Sequence, residues 1–164
     1  MTLTRFAGLA VALLAVPALA HHDGHVFQAG DLHISHIWTE ETGETAHAIE
    51  VYLTVENEGD TADRLIAAQT EFSQPGVFQA SVLGADGALQ VADVPSIEIA
   101  PGQMITFQPG GVHIVFNDVQ RHLEGGEHFD MVLTFEQAGV VEVEVEIEHH
   151  DDHDHDHDHE DEAA

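Results

Sequence analysis

The sequence predicts an all-β domain, a sandwich or barrel of short strands, on three observations. Several segments alternate apolar and polar residues with the two-residue period of a half-buried strand. The same segments are rich in Val, Ile, Thr, Tyr and Phe, which fit a pleated surface. Turn-forming Gly, Pro and Asp cluster between them at short intervals.

In chain order, residues 32–38 (LHISHIW) alternate, and residues 48–55 (AIEVYLTV) are β-branched and aromatic. Shorter runs follow at 64–68, 77–82, 97–99, 104–107, 112–116 and 129–135. They are separated by Glu58-Gly59-Asp60, Gln74-Pro75-Gly76, Asp86-Gly87, Pro101-Gly102 and Pro109-Gly110-Gly111. In the last strand Val141, Val143, Val145 and Ile147 alternate with Glu142, Glu144, Glu146 and Glu148. One face of it is therefore buried and the other is a carboxylate stripe, the ordinary pattern of a solvated face. A row of like charges also repels, which suits an edge strand that must not pair with another chain.

The ends of the chain differ from this body. Residues 1–20 carry one cation, Arg5, then an apolar run, then Ala18-Leu19-Ala20. That is the layout of a secretory signal peptide with an A-x-A cleavage site, and the run is too short for a membrane span. Cleavage after Ala20 leaves His21 first in a mature chain of 144 residues, followed by His22, Asp23, Gly24 and His25. A free α-amine and an imidazole on one residue can chelate Cu(II) together. Residues 149–164 alternate imidazole and carboxylate through His149, His150, His153, His155, His157 and His159. So polar a segment cannot bury enough surface to fold. It is expected to be a disordered metal-binding tail; a merely solvated acidic tail is the alternative. The expected organisation is a signal peptide (1–20), a His-rich leader (21–30), one β domain (31–148) and the tail (149–164).

Composition narrows the function. The chain has no cysteine, so disulfides and thiolate metal sites are excluded. Without its signal peptide it sets Arg64 and Arg121 against 31 acidic residues. That balance excludes nucleic acid and anionic membrane surfaces as partners. Soft Cu(I) ligation would need methionine, and beyond Met1 only Met104 and Met131 exist. Imidazole and carboxylate instead favour Cu(II), with zinc possible.

The body resembles the periplasmic copper chaperones of the PCuAC type, over about residues 32–147. The resemblance rests on Val51-Tyr-Leu-Thr-Val-Glu-Asn-Glu-Gly-Asp60 with Ala62-Asp-Arg-Leu-Ile66, and on Ile99-Ala-Pro-Gly102. It continues in Phe107-Gln-Pro-Gly-Gly-Val-His113 and in Met131-Val-Leu-Thr-Phe-Glu136 with Ala138-Gly139. It implies a single cupredoxin-like or Ig-like β-sandwich. It also implies a copper-binding role in the periplasm, with delivery to a copper-accepting protein such as cytochrome oxidase assembly components. In that family a His and Met of one strand-loop, a further Met and an H-x-M motif hold Cu(I). Here His113 matches the motif's histidine, but Val115 stands in place of its methionine. Ala80 and Val82 align with the first pair, and Leu89 or Val91 with the middle methionine. The fold is thus implied, while the Cu(I) site is not carried over intact.

Among the other histidines, His33 and His36 point to opposite faces of a regular strand, and only a bulge would unite them. His47 opens a strand. His122 and His128 flank Glu124-Gly-Gly-Glu127, which reads as a hairpin-like loop. His113 is the expected metal residue of the body, because Gly110 and Gly111 let the backbone approach closely. With it stand His21, His22 and His25 of the leader and the six tail histidines. The expected function is a copper chaperone or buffer and not an enzyme. A zinc-binding accessory protein feeding a metal-uptake system is one alternative. A structural exported domain with a solubilising tail is the other.

Overall fold

The computed structural model describes residues 25–43, 46–84 and 87–149. Their fold is all-β, with eleven strands and no helix among the described residues. The strands are β1 (Phe27–Ala29), β2 (Leu32–Glu40), β3 (Ala48–Asn57), β4 (Asp63–Gln69), β5 (Val77–Leu83) and β6 (Leu89–Val94). Then come β7 (Ile97–Ile99), β8 (Met104–Thr106), β9 (His113–Asn117), β10 (His128–Phe135) and β11 (Gly139–Glu148). They hydrogen-bond in the order β6-β5-β9-β3-β2-β11-β10-β4-β7, with β1 added to β2 and β8 to β3.

This path is rolled so that its two halves share one core. Leu32 and Ile34 of β2, Val51, Leu53 and Val55 of β3, and Ile114 and Phe116 of β9 come from one half. They pack with Leu65 of β4, Met131, Leu133 and Phe135 of β10, and Val143, Val145 and Ile147 of β11. The alternating apolar positions are therefore the inner faces of two layers, and burying them drives the closure.

Two buried polar side chains fasten the rim. Asn57 donates from Nδ2 to the carbonyls of Thr61 and Ile99, and its Oδ1 accepts from the Gly59 amide. Asp63 accepts from the amides of Arg64, Gln137 and Ala138, tying the start of β4 to the β10–β11 turn. Both lie in the segment that carries the family resemblance, and both are fold fasteners.

Four expectations need correction. Phe27–Ala29 forms a strand against β2 although it falls within the predicted leader, because Phe27 and Ala29 pack on the core. β6 was not expected: Leu89 and Val91 face solvent, so its alternation does not mark a buried face. β11 is not an edge strand. It pairs antiparallel with β10 along its length and parallel with β2 at its end. The 118–127 loop is no hairpin, since β9 pairs with β3 and β5 while β10 pairs with β4 and β11. His122 and His128 therefore flank a crossover between the two halves.

Candidate metal-binding histidines

His113 opens β9, directly opposite Gln79 of β5, on the face that turns away from the core. The β3–β9 register, in which Val51 faces Ile114, carries Tyr52 alongside His113. The ring is buried at 5% exposure. Its Nδ1 lies 3.1 Å from the Gly111 carbonyl. A carbonyl only accepts, so Nδ1 carries the proton and donates. No buried side-chain nitrogen or oxygen among the described residues lacks a partner. With Nδ1 donating, Nε2 is the ring nitrogen left to act as a ligand. A backbone carbonyl orienting one ring nitrogen while the other stays open is how ligand histidines are commonly set.

The surroundings offer His113 little else. Val115 and Val77 face each other on the same side of the sheet. Ser81 and Val91 are directly paired there, and so are Gln79 and Asp93, whose side chains bond at 2.9 Å. Ala80 and Val82 lie on the opposite face, with core residue Phe78. The positions aligned with the family's first ligands thus point away from His113.

The leader ends at a second place. β1 pairs with β2 so that Phe27 faces Ile34, and continuing that register brings His25 level with His36. Between Ser35 and Trp38 the β2–β3 register shifts, and His36 takes a positive φ of 50°. This bulge turns both His33 and His36 outward, which the sequence allowed only as an exception. β11 joins β2 just beyond, with Glu146 opposite Trp38, so Glu144 comes to the same level. His25 Nδ1 lies 3.6 Å from Glu144 Oε1. The sequence reading missed His36 and Glu144 here; the non-glycine positive φ that marks the bulge has no signature in the sequence.

The tail begins at a third place. His149 Nδ1 lies 3.3 Å from Glu41 Oε2, and the same carboxylate oxygen accepts from the Gly125 amide. A Cβ on Gly125 would fall 2.2 Å from His149 Nδ1, so this seating needs glycine there. The Glu41 amide also donates to the Glu148 carbonyl, which clamps the end of β11.

Among the described residues no three His, Asp or Glu side chains converge closely enough to hold a metal ion. His21 and His22, the tail residues His150, His153, His155, His157 and His159, and the signal-peptide segment lie outside the described residues.

The family model described as "Putative lipoprotein LpqE-like" matches residues 32–147. The chain belongs to the LpqE-like family. Among curated protein sequences none matches this LpqE-like chain. Solved structures do match. The copper-bound PCuAC domain from PmoF2 is 26% identical over 77% of this chain and 99% of its own, with a TM-score of 0.68. The apo PCuAC domain from PmoF1 is 28% identical over 77% of this chain and 100% of its own, also at 0.68. Apo-DR1885 from Deinococcus radiodurans is 19% identical over 92% and 97%, with a TM-score of 0.58, and shares the fold. The body is a PCuAC-type domain of cupredoxin-like fold.

Proposed function

We propose that this protein is an exported copper carrier that binds the metal through histidines in the periplasm and passes it to a partner protein. The observation that carries this reading is the copper-bound PCuAC domain from PmoF2, similar at 26% identity over 77% of this chain and 99% of its own. The donors available here favour Cu(II), since they are imidazoles and carboxylates with no thiolate.

The first candidate seat for copper is where the leader meets the β2 bulge, which brings His25 and His36 level with each other. His21 supplies its α-amine and ring, and His25 and His36 supply imidazoles beside the Glu144 carboxylate. Glu144 orients His25, a role that carboxylates commonly take behind ligand histidines. His22 adds a further imidazole. His113 offers one nitrogen alone and binds weakly without donors from elsewhere. The tail histidines take up further ions, each near enough to raise the effective concentration of the next.

Binding is the whole activity in this reading; the sequence carries no G-x-S-x-G elbow and no Cys/His arrangement. A zinc-carrying accessory to an uptake system is the second reading, favoured by the His/Asp alternation of residues 149–159. Metal analysis of untagged protein from its native envelope, followed by competitive titration with Cu(II), Zn(II) and Cu(I), separates them. Copper as the co-purified metal, with Cu(II) displacing zinc, supports the carrier. Zinc alone at full occupancy would replace it with the second reading.

A further inference from the structure

We propose a Cu(I) site built from His33, Glu56 and Met104 on the outer face of the sheet, at the opposite end of β2 from the residues that close on Trp38. Across three neighbouring strands His33 faces Glu56, and Glu56 faces Met104. Directly opposed residues share a face, so imidazole, carboxylate and thioether stand in one row. Each reaches solvent: Met104 is 57% exposed, the His33 side chain 33%, and Glu56 is half-buried. Met131, by contrast, is sealed in the core.

The row is held by backbone and not by chance packing. β8 is fastened to β3 by the Asn57 amide donating to the Gln103 carbonyl and the Gly102 amide donating to the Asn57 carbonyl. Gln103 Oε1 accepts from the Ala100 amide, which closes the turn before Met104. On the other side His33 Nε2 lies 3.5 Å from Glu58 Oε2, leaving Nδ1 for a metal. His33 and Met104 are two strands apart, roughly 10 Å between Cα atoms. Two outward side chains and two metal–ligand bonds of about 2.0–2.3 Å can close that span above Glu56.

A thioether is a soft ligand that selects Cu(I), and imidazole completes a two-coordinate or three-coordinate set with a carboxylate at hand. Met104 is thus the exposed methionine that gives this chain a Cu(I) ligand where the resemblance-derived positions carry Val115, Leu89 and Val91. The proposal rests on the reading that the protein handles copper, but it concerns another oxidation state and other residues.

The test uses the full chain carrying methyl-labelled methionine, with Ag(I) as a diamagnetic stand-in for Cu(I). One equivalent of Ag(I) shifts the Met104 methyl resonance and leaves that of Met131 in place. His33→Ala weakens this response by at least the roughly tenfold that loss of even an outer-shell partner costs. Met104→Leu abolishes it while Cu(II) binding is retained. A Met104 resonance unmoved at one equivalent, or an Ag(I) titration unchanged by His33→Ala, overturns the site. Loss of Cu(II) binding in the wild-type chain would instead count against the histidine carrier.

Discussion

The Tyr52 hydroxyl donates a 2.5 Å hydrogen bond to Oε2 of Glu50, two residues away on the same outer face of β3. Its ring packs at 4.5 Å between centroids against Trp38 of β2. These are the chain's single tyrosine and single tryptophan. Burial, followed by the hydrogen bond to Glu50 and the charges of Glu50 and Glu40, pushes the Tyr52 phenol well above the ordinary tyrosine range. The native protein should therefore show no tyrosinate absorbance at pH about 11, whereas the unfolded chain titrates near 10. Folded protein then holds a proton that unfolded protein releases, so this contribution to stability is complete below pH about 10 and is lost as pH rises beyond it. Native titration near pH 10 would show that Tyr52 is neither buried nor bonded to Glu50 in solution.

Truncation after His149 should lower the number of Cu(II) or Zn(II) ions bound and shift apo melting by no more than about 2 °C. The reason is compositional: residues 150–164 contain no apolar residue larger than alanine, so they bring no burial to the core. Calorimetry and metal titration of the two chains check it. A large loss of apo stability would mean that the tail docks on the body.

His113→Ala in a chain whose leader and tail histidines are all serine should remove the weak Cu(II) binding that remains. The same substitution should cost about 1 kcal/mol of stability, through loss of the Nδ1 bond to the Gly111 carbonyl. Competition titration and denaturant unfolding report the two effects separately. Tight one-to-one Cu(I) binding by the serine chain before the substitution, with its sulfur ligand traced outside Met104, would contradict this assignment.

Asp63→Ala should destabilise the fold by roughly 2–4 kcal/mol, because three backbone amides lose a buried charged acceptor. Metal stoichiometry of the folded fraction should not change, since Asp63 serves the β4 and β10–β11 junction. Urea unfolding measures the first effect, and a cost below about 0.5 kcal/mol would show that water satisfies those amides.

The layered architecture was largely legible in the sequence, because alternation reports which face of a strand is buried. Nine of the eleven strands coincide with predicted runs. β6 escaped because Leu89 and Val91 are exposed, and β1 because its three residues sit in a polar leader. Register was not legible. That β11 runs parallel beside β2 is an outcome of packing between segments about a hundred residues apart, and the bulge that turns His36 outward shows only in the register of β2 against β3. For the same reason His25, His36 and Glu144 could not be grouped from spacing. His113 could be singled out in the sequence because its Pro-Gly-Gly loop is local. Which way Ala80 and Val82 face, on the side of core residue Phe78 and away from His113, was visible only in the strand register.

Copper bound through imidazole has a clear pH signature. Only the neutral ring binds, and free imidazole takes up a proton near pH about 6.5, so Cu(II) affinity should fall steadily as pH drops through that range. Competition titrations at three pH values measure this. Affinity constant from neutral to mildly acidic pH would place the metal on carboxylates or thioethers.

The most direct test of a histidine-held copper is pulsed electron paramagnetic resonance of the mature chain loaded with one equivalent of Cu(II). The spectrum should show imidazole nitrogen couplings from at least two histidines, and His36→Ala should remove one of them without unfolding the body. A spectrum with no imidazole coupling, or one unchanged when His21, His25 and His36 are all replaced, would contradict the account.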